Sequence, residues 1–336
     1  MRKFFLFLIS LFFGIGLFVW IIKTVGWQEI KLVFISFSGW QGLIILGLTI
    51  ITVLFGVWKW RFILKSQGHN IPIIELVKTY LAGNAISFLA PMLLFGGELF
   101  RGYSLKEKHS IPWESAISSV MIDRILETTL YLLTIFLGLI YFLFKIGLPP
   151  KNLGIILGAT LIFFGGATAI FYFKSFRRES IIKSFLRAFN SKSNEQNSLV
   201  EIEKEIFNFF GPKKKKMWQG FGLSFLRVFS NLARFWILII FLGKSIGFLS
   251  AVSILGFFYL AVMLPIPAAL GSHEAVQSFA FNGLGLGANT GTALALIIRG
   301  AELIMVLIGA MFFLRLGFQL LEIAFVGRIK KFMNSR

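Results

Sequence analysis

A chain of 336 residues that is 57% hydrophobic, with 34 Lys and Arg against 15 Asp and Glu, is not composed like a water-soluble domain. Its apolar runs approach or exceed the roughly 20 residues that cross a bilayer, and they lack the short alternation of a β-barrel. The formal charge of +19 would point to nucleic acid in a soluble protein, but here most of it falls on one side of the proposed spans, as the positive-inside bias requires. Cysteine is absent, which excludes a disulfide framework and a thiolate metal site. The expectation is an all-α polytopic membrane protein of the cytoplasmic membrane, with no cofactor, no metal and no nucleic-acid partner.

Arg2 and Lys3 precede an apolar run from Phe4 to Ile22. The run is too long for a usual signal-peptide core and no small-x-small site follows, so it reads as a retained first helix with its amino end in the cytoplasm. Trp27 and Trp40 bound the outer loop that follows and suit the headgroup layer. Gln41 to Trp58 returns the chain to the cytoplasm, where Lys59, Arg61 and Lys65 read as anchors.

Ile71 to Tyr103 is broken by Asn84, Pro91 and the Gly96-Gly97 pair and carries basic residues at both flanks. That pattern predicts a re-entrant hairpin of two half-helices, with Arg101, Lys106 and Lys108 on its cytoplasmic flank. Broken helices are tolerated at membrane depth only where protein or a watery cavity satisfies the freed backbone groups. Ser115 to Phe144 then crosses outward, and Leu153 to Phe173 comes back in.

The connector 174–217 holds eleven basic and five acidic residues. Ile181, Ile182, Phe185, Leu186 and Phe189 share one helical face, as in a helix lying on the membrane surface. The Lys213 to Lys216 run follows and suits anionic lipid. Trp218 to Leu242 crosses outward, Gly247 to Gly285 contains a second broken region, and Gly291 to Leu314 precedes a basic tail. With a cytoplasmic tail, the two halves, 41–144 and 218–316, are inverted repeats: six full spans, two re-entrant hairpins and both termini inside. Eight full spans are the alternative that hydropathy leaves open.

The halves also echo each other in residue pattern. Pro91 stands seven residues before Glu98, and Pro267 seven before Glu274; Arg124-x-x-Glu127 and Arg299-x-x-Glu302 follow 26 and 25 residues after those acids. Ionisable groups in apolar spans are costly and mark function, and a duplicated set around Pro and Gly is a transporter-like pattern. Pro91 and Pro267 suit the first turn of each hairpin's second arm, which would aim a helix amino terminus at an anion. Gly96, Gly97 and Gly271 permit close approach of a backbone or headgroup. Glu98, Arg124, Glu127, Glu274, Arg299 and Glu302 form a network that either gates substrate access or only holds helices together, and Glu98 has both Arg124 and Arg299 as candidate partners. Arg227, Asn231 and Arg234 lie on one helical face, and their helix offers no acid, so the two arginines suit a headgroup phosphate; the alternative is that Arg227 snorkels toward the cytoplasmic interface and Arg234 pairs with an acid. His273-Glu274-x-x-Gln277 ends in Gln where a zinc-protease helix needs its second His, and nucleotide fingerprints and Gly-x-Ser-x-Gly elbows stand in no suitable context.

At these residues the chain resembles the lysylphosphatidylglycerol synthase transmembrane-region family, the flippase-like module of the multiple peptide resistance factor. The resemblance rests on Gly96-Gly97-Glu98 with Arg101, on Asp123-Arg124, on Pro265-Ile266-Pro267 to Gly271 and Glu274, and on Arg299. It implies a lipid-handling domain with re-entrant helices around a cavity. Aminoacyl transfer is not expected of this chain, because the sequence ends soon after Leu314 and the family's synthases carry that activity in a further domain. The expected function is non-enzymatic movement of anionic, aminoacylated or polyprenyl-phosphate lipids between leaflets. One alternative is a headgroup enzyme with His273 and Glu274 as acid and base. The other is a partner subunit of a separate lipid synthase; a homo-oligomer is also open.

Overall fold

The computed structural model describes residues 39–89, 96–147, 151–182, 196–211, 214–263 and 272–333. The expected first helix at Phe4 to Ile22 and the prolines Pro91 and Pro267 with Gly271 lie outside these residues, as does the surface helix beyond Ile182. Ten helices are described: α1 (Trp40–Ser66), α2 (Ile73–Leu89), α3 (Gly96–His109), α4 (Trp113–Ile146), α5 (Lys151–Arg177), α6 (Gln196–Phe209), α7 (Lys215–Phe241), α8 (Phe248–Met263), α9 (Ser272–Gly283) and α10 (Ala288–Met333). The chain is an all-helical polytopic membrane protein.

Length sorts the helices into two kinds. α1, α4, α7 and the Ala288–Gly317 part of α10 are long and apolar enough to cross a membrane. Their outer faces leave Leu54, Phe136, Phe144, Phe229 and Met311 exposed, which water would not support but lipid does. The members of α2–α3 and α8–α9 have 17, 14, 16 and 12 residues. At 1.5 Å per residue that is about 18 to 26 Å, short of the roughly 30 Å of hydrocarbon.

Each short pair is an antiparallel hairpin. In the first, Lys108 reaches Glu75, Arg101 lies over Tyr80, and a β-carbon at Gly97 would overlap the Gly83 carbonyl. In the second, Gln277 bonds the Ile254 carbonyl and His273 packs on Phe258.

The hairpins are exchanged between halves. α8 runs antiparallel along α4, where Tyr131 stacks on Tyr259, Gly256 sits on Ile135 and Gly138 meets Ser253. Correspondingly, α2 runs antiparallel along α10, where a β-carbon at Gly309 would overlap the Leu81 carbonyl and Ala85 packs with Leu303 and Val306. Small residues at both contacts let backbones approach without a hydrophobic driving force, as in other membrane helix pairs. α1 and α7 pair antiparallel through Thr52–Ser230 and Trp40–Phe241. α1 also runs antiparallel to α2 and α4, so every helix of the α1–α4 half opposes its counterpart in α7–α10. The repeats are inverted.

α5 and α6 stand outside this scheme. α5 folds back along α4 through Thr129 and Tyr172. α6 is amphipathic and buries Ile202 and its last residue Phe209, with Phe210 just after it, against the ends of α1 and α4, while its Glu205 accepts bonds from Ser115 and Ser118. The backbone N–H groups of Ile181 and Ile182 are capped by Glu203 of the same helix. Part of the expected lipid-hugging connector is thus a helix docked on the bundle.

Candidate functional site

The inverted halves enclose a cavity of about 290 Å³. Seven of the residues singled out in the sequence line it: Arg124 and Glu127 from α4, Arg227, Asn231 and Arg234 from α7, His273 from α9 and Glu302 from α10. Tyr131 and Tyr259 join them, as does Asn84, which lies inside the unbroken α2 and is not the break expected of it. Hydropathy gives the two tyrosines no mark, because neutral polar side chains in a span are ordinary. Both halves contribute, so the site exists only where they meet.

The ion pairs resolve the open partner question. Glu98, in the first turn of α3, binds Arg124 and accepts a bond from Ser87 Oγ at 3.4 Å. Arg124 also faces Glu127 at 3.5 Å. Glu274 takes Arg299, and neither lines the cavity. The two pairs occupy equivalent places in the inverted halves. Gly96 opens α3 and Gly97 packs on α2, so Gly97 serves helix contact.

The open readings of α7 are decided between: Arg227 does not snorkel but pairs with Glu127, and Arg234 does pair with an acid, Glu302, at 3.1 Å, while donating to Thr49 Oγ1 at 3.0 Å. Their acids come from other helices, which a search along α7 does not reach. Glu302 therefore goes to Arg234, not to Arg299 one turn before it.

Nor is Lys59 an anchor in solvent. α1 continues to Ser66, and Lys59 is 0% exposed, 3.0 Å from Asp123 and 4.0 Å from Glu127. Arg101, read as a flank, is 3% exposed, pairs with Asp123 at 3.0 Å and sits over the Trp60 and Tyr80 rings, 4.1 and 4.6 Å from their centroids. At the register that sets Arg124 on Arg299, Lys59 falls on Arg234 and Glu127 on Glu302. The Lys59–Glu127 and Arg234–Glu302 contacts are thus one interaction repeated. That register was a signal present in the sequence. The symmetry fails at Arg227, whose counterpart is Thr52.

Among the described residues, the charges at and behind the cavity are five cations and four acids. The cations are Lys59, Arg101, Arg124, Arg227 and Arg234; the acids are Glu98, Asp123, Glu127 and Glu302. One positive charge is in surplus. Buried pairs of this kind do little for net stability, but breaking one strands its partner at a cost of about 3 to 5 kcal/mol. Arg124 is the most open of the three lining arginines, its side chain 36% exposed against 16% for Arg227 and 3% for Arg234. Phosphate or carboxylate groups are the natural ligands of such forks. Among the described residues, no group of three or more His, Asp or Glu is placed to hold a metal ion.

Fold and site together define a polytopic membrane protein of two inverted helical repeats with a charged cavity between them. The profile of the lysylphosphatidylglycerol synthase TM region matches residues 7–310, and the chain belongs to that family. It is also similar to a UPF0104 membrane protein of Methanocaldococcus jannaschii, 25% identical over 254 residues that cover 72% of this chain and 74% of the relative.

Proposed function

We propose that this protein carries lipids with anionic headgroups between the leaflets of the cytoplasmic membrane, the headgroup passing through the cavity while the acyl tails stay in the bilayer. One observation carries this: arginines from α4 and α7 converge on a single cavity at the junction of inverted repeats. Membership of a family named for a lipid synthase's membrane region supports it. The volume, near the low end of the roughly 300 to 1,000 Å³ of ligand pockets, suits a headgroup and not a whole lipid.

In this reading the hairpins α2–α3 and α8–α9 enter the membrane from opposite sides and turn back, and both termini face the cytoplasm. Rocking of one half against the other then alternates access to the cavity. The network lets an arginine leave its acid at low cost. Glu127 keeps Lys59 and the Tyr131 hydroxyl when a phosphate takes Arg227, and Arg124 already divides itself between Glu98 and Glu127. The headgroup-enzyme alternative needs His273 and Glu274 to work together, but Glu274 is taken by Arg299 away from the cavity lining.

The test is leaflet exchange in liposomes with the purified full chain, scoring lipid recovered chemically unchanged. An Arg234→Gln/Glu302→Gln double variant removes a pair without stranding a charge and should stay folded while anionic-lipid exchange falls about tenfold, the effect of losing one charge-assisted bond. Undiminished exchange would overturn the headgroup assignment.

A further inference from the structure

Two buried side chains of α7 face the cavity with bonding capacity to spare. Arg234, 2% exposed, spends its terminal nitrogens on Glu302 and Thr49, and its Nε has no partner among the described residues. Asn231, 6% exposed, donates its amide nitrogen to the Tyr259 hydroxyl at 3.0 Å, and its Oδ1 has no partner among the described residues. Asn231 and Tyr259 use one bond between themselves and keep an acceptor and a hydroxyl donor. Turning the amide over exchanges which residue offers which, but one of each remains. Buried groups left in this state call for a partner.

The chemistry of that partner is narrow. A phosphate only accepts and an ammonium only donates, whereas a hydroxyl does both. The surplus of one positive charge around the cavity balances one phosphodiester. A cationic aminoacyl group would add to that surplus, and Glu127 keeps Lys59 and the Tyr131 hydroxyl even when a phosphate takes Arg227.

Resting on the headgroup reading above, we infer that the cavity takes a phosphodiester of a neutral polyol or sugar, with the phosphate on the arginines and a hydroxyl between Asn231 and Tyr259. The same chemistry occurs in a lipid headgroup and in a free polyol phosphodiester. The experiment separates these sources.

Leaflet exchange of phosphatidylglycerol is compared with that of phosphatidylmethanol, which has the same charge and no hydroxyl, and with phosphatidylethanolamine, which offers an ammonium instead. Phosphatidylglycerol should exchange about tenfold faster than either, as expected from one hydrogen bond to a buried group. In an Asn231→Leu/Tyr259→Phe variant the ratio of phosphatidylglycerol to phosphatidylmethanol should fall toward one. Equal rates for the two lipids in the native chain, or a ratio that survives the double variant, would overturn the inference while leaving anionic-lipid transfer standing. Should that variant not fold, the native comparison decides alone. In detergent, a rise in thermal midpoint with soluble glycerophosphoglycerol but not with its methyl analogue supports the same chemistry in a free ligand. A rise with phosphatidylglycerol alone assigns it to lipid, and no rise with either overturns it even if no lipid moves in liposomes.

Discussion

Lys59 shows how little a charged residue's sequence neighbours say about its role. It stands beside Arg61 and Lys65, which look like any basic flank, yet its ammonium is sealed between Asp123 and Glu127 and also donates to the Asp123 carbonyl at 3.1 Å. Lys59→Ala should therefore lower stability by up to about 3 to 5 kcal/mol, while adding Asp123→Asn, which also takes the acid from Arg101, should lower it further but by less than Asp123→Asn does alone, both read from thermal unfolding in detergent. A purely additive cycle would mean that the two do not interact. Glu98, Arg124, Glu274 and Arg299 were legible because each is a charge inside an apolar run and each has an echo. Lys59 and Arg101 were not, because basic residues at the end of a span have two destinations, solvent or a buried acid. The choice depends on Asp123, which lies a whole helix hairpin away in sequence. Arg101→Lys tests the second case: it keeps the charge but loses the guanidinium contact with Trp60 and Tyr80, and should destabilise the fold where an exposed Arg→Lys exchange would not.

At the scale of helices, hydropathy set the long spans close to where the structure has them: Ser115 to Phe144 is the interior of α4, and Trp218 to Leu242 nearly all of α7. The broken regions were legible through Gly and Pro, but which helix each hairpin packs on was not. Contacts such as Gly309 on Leu81 and Gly138 on Ser253 depend on a missing side chain meeting a backbone far away, and a glycine in a span carries no address. Gly309→Leu should force α2 from α10 and cost at least the roughly 1 to 3 kcal/mol of core overpacking. Gly158→Leu on α5, where a β-carbon meets nothing within 4 Å, should be tolerated. Equal thermal midpoints for the two variants would contradict the α2–α10 contact.

For the whole molecule, the inverted halves follow from counting crossings. The α1–α4 half begins and ends on the same side, because it has two long helices and a hairpin, and the count stays even whether the hairpin turns back or spans. A second copy joined directly would insert the same way up as the first. In the proposed topology, where Leu153 to Phe173 traverses, α5 supplies the odd passage. Among its described side chains only Ser175 is buried, and Ile155, Ile162, Phe163 and Ile170 face outward, so few contacts explain its presence. In that topology its requirement is arithmetic: one further traverse, of any sequence apolar enough, turns a tandem duplication into one related by a two-fold rotation about an axis in the membrane plane. Substitutions along the outer face of α5 should accordingly matter little so long as it still traverses, whereas its loss would set the halves the same way up, so that α8 could no longer lie on α4 nor α2 on α10, and no cavity would form between them.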